Sequence, residues 1–135
     1  MRQTNGTGGR DDEPLRVYGL RFSDRALAHI DAARARLSEV SSQDAADAWK
    51  EGLLDEVSAL ATLPLRYAAP AEAARFRGNV RQLLYRRSGS RAIYRLLFAV
   101  LDDGPDGPVV TILALRHGAA RPITRAEAKD MEAEE

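Results

Sequence analysis

Arginine is the residue type with the most chemistry to offer in this chain. Between positions 73 and 101 stand seven arginines (75, 77, 81, 86, 87, 91 and 95) and no acidic residue. A guanidinium stays charged at any physiological pH, and its planar fork of donors matches a phosphate or a carboxylate in bidentate fashion. Eighteen of the twenty basic residues are arginine. A GC-rich genome would produce that bias, as would selection for anion binding, and composition alone leaves both open. Glu72 is the sole acid between Glu56 and Asp102; by itself it reads as a solvated loop residue. His117 ends the last apolar run, where a histidine is commonly a surface group. Cysteine is absent, which removes disulfides, thiolate catalysis and cysteine-ligated zinc together. The two histidines are far apart, and no phosphate-binding glycine loop, nucleophile elbow or metal motif occurs. The sequence therefore implies no metal and no cofactor.

The chain has 135 residues and 44% hydrophobic content, enough for one domain with its own core. No apolar run approaches the ~20 residues of a membrane span. Residues 1–14 are polar and glycine-containing with no apolar h-region, so they are expected to be a disordered lead-in, not a secretory signal. A cytoplasmic location follows as the default expectation. Twenty bases balance twenty acids, which argues against indiscriminate nucleic-acid binding. The charges are nonetheless segregated: residues 23–56 carry eight acids against four bases, and the arginine-rich stretch follows.

Something must position those arginines. Residues 15–22 (LRVYGLRF) alternate and are bounded by Pro14 and Ser23, which predicts a first strand. Ser23 is a good N-cap, and Ala26, Ile30, Ala33 and Leu37 recur at helical spacing behind it. Ser41-Ser42 supplies a second cap before a stripe of Ala46, Trp49, Leu53, Val57 and Leu60, which ends before Pro64. Trp49 on that stripe reads as a core anchor. Gly52 inside it marks a close approach between helices. Residues 65–79 form a connector. Residues 80–87 and 91–101 then flank Ser88-Gly89-Ser90 as a hairpin, and residues 109–117 give a third run. The run 91–101 is apolar on both faces, as in a central covered strand, with Arg95 the lone interruption. Asp102 to Pro108 contains two prolines and two glycines and reads as a loop. In the last run Val109, Thr111, Leu113, Leu115 and His117 share one face by alternation. Thr124 to Glu127 fits a capping box with Ile123 as hydrophobic staple, so residues 122–135 are an acidic tail or a short, frayed helix. The fold class is α+β: an antiparallel sheet, one N-terminal strand plus a three-stranded meander, packed on a two-helix hairpin in the order β-α-α-β-β-β.

That order resembles the RelE/ParE superfamily of toxins from type II toxin–antitoxin modules. The strings YGLRFSDRALAHIDAA, LLDEVSALATLP, NVRQLLY, AIYRLLFAV and VVTILALRHGAAR are similar, in sequence order, to its opening strand and helix, second-helix end, sheet strands and basic exit. The resemblance covers residues 15–121 and implies a small toxin domain neutralised by a cognate antitoxin. RelE-like members cut mRNA in the ribosomal A site; ParE-like members poison DNA gyrase and need no catalytic set. On the nuclease arm the resemblance assigns Arg95, His117 and Glu72 as catalytic residues. Cleavage through the RNA 2′-hydroxyl needs a base, an acid and cations for the phosphorane charge, which Glu72, His117 and Arg95 would supply. Arg81, Arg86, Arg87, Arg91, Arg116 and Arg121 would contact RNA phosphates or the antitoxin. Gly118-Ala119 stands where several of the nucleases carry an aromatic after the histidine. The expectation leans to mRNA cleavage on the ribosome, with gyrase inhibition the alternative and a non-toxic small binding protein of the same fold a third.

Overall fold

The computed structural model describes residues 16–87 and 90–133. The expected lead-in, Leu15 and the Ser88-Gly89 centre of the first hairpin link lie outside them. Strand β1 (Gly19–Phe22) leads into helices α1 (Asp24–Val40) and α2 (Gln43–Ser58). Three 3-10 turns then carry the chain to β2 (Asn79–Tyr85), β3 (Tyr94–Gly104), β4 (Gly107–His117) and helix α3 (Arg125–Ala133). The four strands lie in the order β1-β4-β3-β2. The sheet is mixed, and this corrects the antiparallel expectation: β2, β3 and β4 form the meander, but β1 pairs with β4 in parallel, Gly19 opposite Val109. The helical hairpin is the cause. It takes the chain from β1 across the sheet to the far edge, the long crossover that parallel pairing needs.

Serines set the helix starts as expected. Ser23 Oγ accepts from the Ala26 N–H (3.0 Å) and also donates to the Leu113 carbonyl (3.0 Å), fixing the angle between α1 and β4. Ser42 Oγ accepts from the Ala45 N–H (3.0 Å). Strand β1 is shorter than predicted because the Tyr18 N–H bonds to the Ala61 carbonyl in the 3-10 turn that follows α2 and does not join the ladder. The helix stripes meet the sheet in one core of Ile30, Trp49, Leu53, Val57, Leu60, Leu83, Leu96, Phe98, Val110 and Ile112, among others. Gly52 answers Tyr85 of β2, not α1. A Cβ there would stand 2.3 Å from the tyrosine oxygen, which donates to the Trp49 carbonyl (2.9 Å).

Two expectations about the last strands change. Strand β3 runs on through Asp102 and Asp103, past a register irregularity after Leu101, to a tight turn with Gly104 opposite Gly107. The prolines permit this because Pro105 lies in the turn and Pro108 at the strand start, where a missing N–H is least costly. Gly107 has φ +102°, open to glycine and strained for other residues. The second change is a bulge: Leu97 pairs with Ala114 but Phe98 with Ile112. Leu113 and Ala114 therefore both face away from the hairpin, while Ile112 and Leu115 face it. The predicted single face of Leu113, Leu115 and His117 is broken there. Beyond Phe22 the edge of β4 is bonded by α1, where His29 Nδ1 accepts from the Leu115 N–H (3.2 Å).

The second sheet face is covered by α3. Val80, Leu97, Ala99, Leu113 and Ala114 pack with Phe76, Ile123, Ala128 and Met131. The capping box forms in both directions: Thr124 Oγ1 accepts from the Glu127 N–H (3.1 Å) and Glu127 Oε1 from the Thr124 N–H (2.9 Å). Ile123 and Ala128 are fully buried at the staple positions. The helix is a cover for the core, not a frayed tail. Among the described residues no helix is long and apolar enough to cross a membrane.

Candidate functional site

Arg95 sits in central β3, opposite Leu84 on one side and Arg116 on the other. By alternation it shares the α3 face with Leu97 and Ala99. Its guanidinium donates to both oxygens of Glu72 (3.0 and 2.8 Å) and to Gln82 Oε1 (3.1 Å). Glu72 is 5% exposed, so the solvated-loop reading is replaced by a buried one. Its Oε2 also accepts the Ile123 N–H (3.0 Å). The Arg95 hydrogen bonds, with help from the Ile123 amide, hold the Glu72 carboxyl down to about 2 against the opposing effect of burial. So acidic a carboxylate, with both oxygens engaged, is a weak proton acceptor at neutral pH. The pair ties the connector, the central strand and the start of the C-terminal segment together.

His117 is opposite Tyr94 in the ladder, and the rings meet edge-on at 5.3 Å. Tyr94 packs in turn on Trp49 (5.2 Å), so an aromatic line runs from the hairpin core to the exposed imidazole. His117 Nδ1 accepts from the Ala119 N–H (3.0 Å). The sheet brings Arg95 and Glu72 together, and the His117 ring packs on Tyr94, although Arg95 and His117 border the same groove.

The remaining arginines divide by their bonds. Arg81 donates to Asn79 Oδ1 (3.0 Å) and to the carbonyls of Leu65 (3.1 Å) and Tyr67 (2.9 Å), strapping the connector to the sheet. Arg116 donates to the Arg121 carbonyl, and Arg121 grips both oxygens of Glu127 (2.7 and 2.9 Å). Arg86, Arg87 and Arg91 are exposed around the β2–β3 link. Beside them a groove of about 400 Å³ is lined by Leu84, Arg91, Ile93, Arg95, His117 and Gly118. Leu84 (59%) and Ile93 (41%) expose much of their apolar surface there. An apolar floor with a cationic rim is suited to holding an acidic amphipathic segment. The sequence reading missed Gln82, Leu84 and Ile93. Gln82 was open to discovery, since alternation puts it on the face of Leu84, the cross-strand neighbour of Arg95; the exposure of Leu84 and Ile93 depends on where α3 stops covering the sheet.

The family model for the ParE toxin of the type II toxin–antitoxin system, parDE, matches residues 20–122. The chain belongs to the ParE toxin family. Its fold is also that of a solved chain described as "Chromosomal ParDE TA system from P. aeruginosa", with a TM-score of 0.59. The two are 19% identical, and the likeness covers 76% of this chain and 97% of that one. At that identity the likeness is one of fold. No curated protein matches the chain. Glu72, Arg95 and His117 of this ParE toxin all fall inside the family match, whereas α3 begins beyond it.

Proposed function

We propose that this ParE-family toxin acts by binding, as an inhibitor of DNA gyrase, and not by cutting mRNA. The observation that carries the proposal is the Glu72–Arg95 pair. The residue assigned as base and the residue assigned as phosphate cation neutralise each other, while the ring of the residue assigned as acid packs on Tyr94. The exposed chemistry, Leu84 and Ile93 beside Arg91, with Arg86 and Arg87 in the adjoining cleft across Leu84, is that of a docking surface. Purified gyrase with the toxin should accumulate cleaved DNA, and translating ribosomes should keep their mRNA intact. His117→Ala should poison gyrase as well as the parent does. New mRNA 5′ ends inside the A-site codon, abolished by His117→Ala in folded protein, would replace this reading with the nuclease one.

The same surface is proposed to receive the cognate antitoxin. Co-expression with a small acidic protein encoded beside it should give a co-purifying complex. Reversing Arg86, Arg87 and Arg91 to glutamate should weaken that complex and flatten its salt dependence, because rim charges act through long-range attraction. Separate elution of the parent proteins at low salt would refute this assignment.

A further inference from the structure

Between the last 3-10 turn and β2 the backbone presents two successive amides to one anion. The Arg77 N–H donates to both oxygens of Glu132 (2.9 and 2.9 Å), and the Gly78 N–H donates to Oε2 (2.8 Å). Consecutive N–H groups converging on one point form a nest, a concavity with fixed partial positive charge. Here a carboxylate of the same chain fills it. Glu132 stands in the last turn of α3, where the helix dipole disfavours a negative side chain. Its charge is unfavourable for the helix, so it is the nest that holds it. Arg75, Arg77, Lys129 and Glu132 line a cleft of about 380 Å³ at this point. Three cations thus line this cleft with one carboxylate; Arg75 also donates to the Ile123 carbonyl, and the side chains of Arg77 and Lys129 are exposed to solvent.

We infer that the Arg77–Gly78 nest, with Arg75, Arg77 and Lys129, is a phosphate-binding site that Glu132 occupies in cis. A phosphate group carries more charge and more acceptor oxygens than the carboxylate it displaces, and it meets cations that Glu132 leaves unneutralised. Its source is a free phosphate or the backbone of a nucleic acid, and the two share this chemistry. The site joins the family-matched region to the helix beyond it, since Arg75, Arg77 and Gly78 lie within residues 20–122 and Lys129 and Glu132 do not.

The test follows the two amides in ¹H–¹⁵N spectra of the full chain at constant ionic strength. Inorganic phosphate is titrated in one arm and a short single-stranded oligonucleotide in the other. The Arg77 and Gly78 amides should shift saturably in at least one arm; saturation by inorganic phosphate identifies the free ion, and saturation by the oligonucleotide alone identifies a nucleic-acid backbone. Glu132→Gln should bind roughly tenfold more tightly, the gain expected if the carboxylate leaves the nest open about a tenth of the time. Lys129→Ala, which leaves the apolar contacts of α3 in place, should weaken binding. Absence of saturable shifts at these amides in both the parent and Glu132→Gln would overturn the inference. Equal affinity of those two proteins would also overturn it, leaving Glu132 as a tie for α3 only.

Discussion

Glu72 and Arg95 show how one contact changes the meaning of two residues. Breaking a buried pair strands a charge, so Arg95→Met or Glu72→Leu alone should each lower unfolding stability by about 3–5 kcal/mol. The double variant should recover most of that loss, because no unpaired charge remains. Urea denaturation of the four proteins completes the cycle, and additive losses would show that the two residues act independently. The pH dependence has a definite sign. Glu72 is depressed in the fold from its ordinary 4.5 to about 2. Its contribution is therefore complete above about pH 4.5 and is lost as pH falls through about 2. Glu127, also held at about 2, first by Arg121 and then by the Thr124 amide, weakens in the same window. Glu127→Gln should remove part of the acid slope and leave the part that belongs to Glu72.

At the scale of elements, α2 is keyed to β2 by a missing side chain. Gly→Ala inside a helix ordinarily gains about 1 kcal/mol. Gly52→Ala should instead lose stability, since the new methyl would meet the Tyr85 oxygen at 2.3 Å. With Tyr85→Phe in place the nearest atom becomes the ring carbon at 3.3 Å, and the penalty of adding the alanine should shrink. Thermal melts of the two single variants and the double variant decide it. Trp49→Ala, by contrast, should cost about 3–5 kcal/mol through lost packing. Both helices, their serine caps and the doubly covered strand were legible in the sequence, because each is written in local spacing. Glu72 was not legible as a partner of Arg95, because their bond crosses a connector without periodicity. The bulge at Leu113 and Ala114 was hidden for a related reason: both residues are apolar, and alternation says nothing of an extra residue between two hydrophobic faces. The parallel strand was missed because short links argue for antiparallel neighbours only where links are short, and β1 is joined to the sheet by the whole hairpin.

For the molecule as a whole, two layers of cover make the sheet a core, and the second layer lies outside the family match. Ile123→Ala should cost about 2–5 kcal/mol, as read from chemical denaturation. A chain ending at Pro122 should associate or precipitate, because it bares Leu97 and Leu113, each fully buried beneath α3. Light scattering would register the change, and a monodisperse truncated protein would show that the cover is dispensable. The pairing of β1 with β4 has a consequence in time. Gly19 finds its partner in Val109, about ninety residues further along the chain. At a synthesis rate of roughly 5–20 residues per second, on the order of ten seconds separate their emergence from the ribosome. Until then α1 and α2 hold their apolar stripes against each other alone, with no sheet to bury them. By chain order the helical hairpin is the part left uncovered longest on the nascent chain, and the groove of Leu84, Ile93 and His117 is among the last surfaces to form.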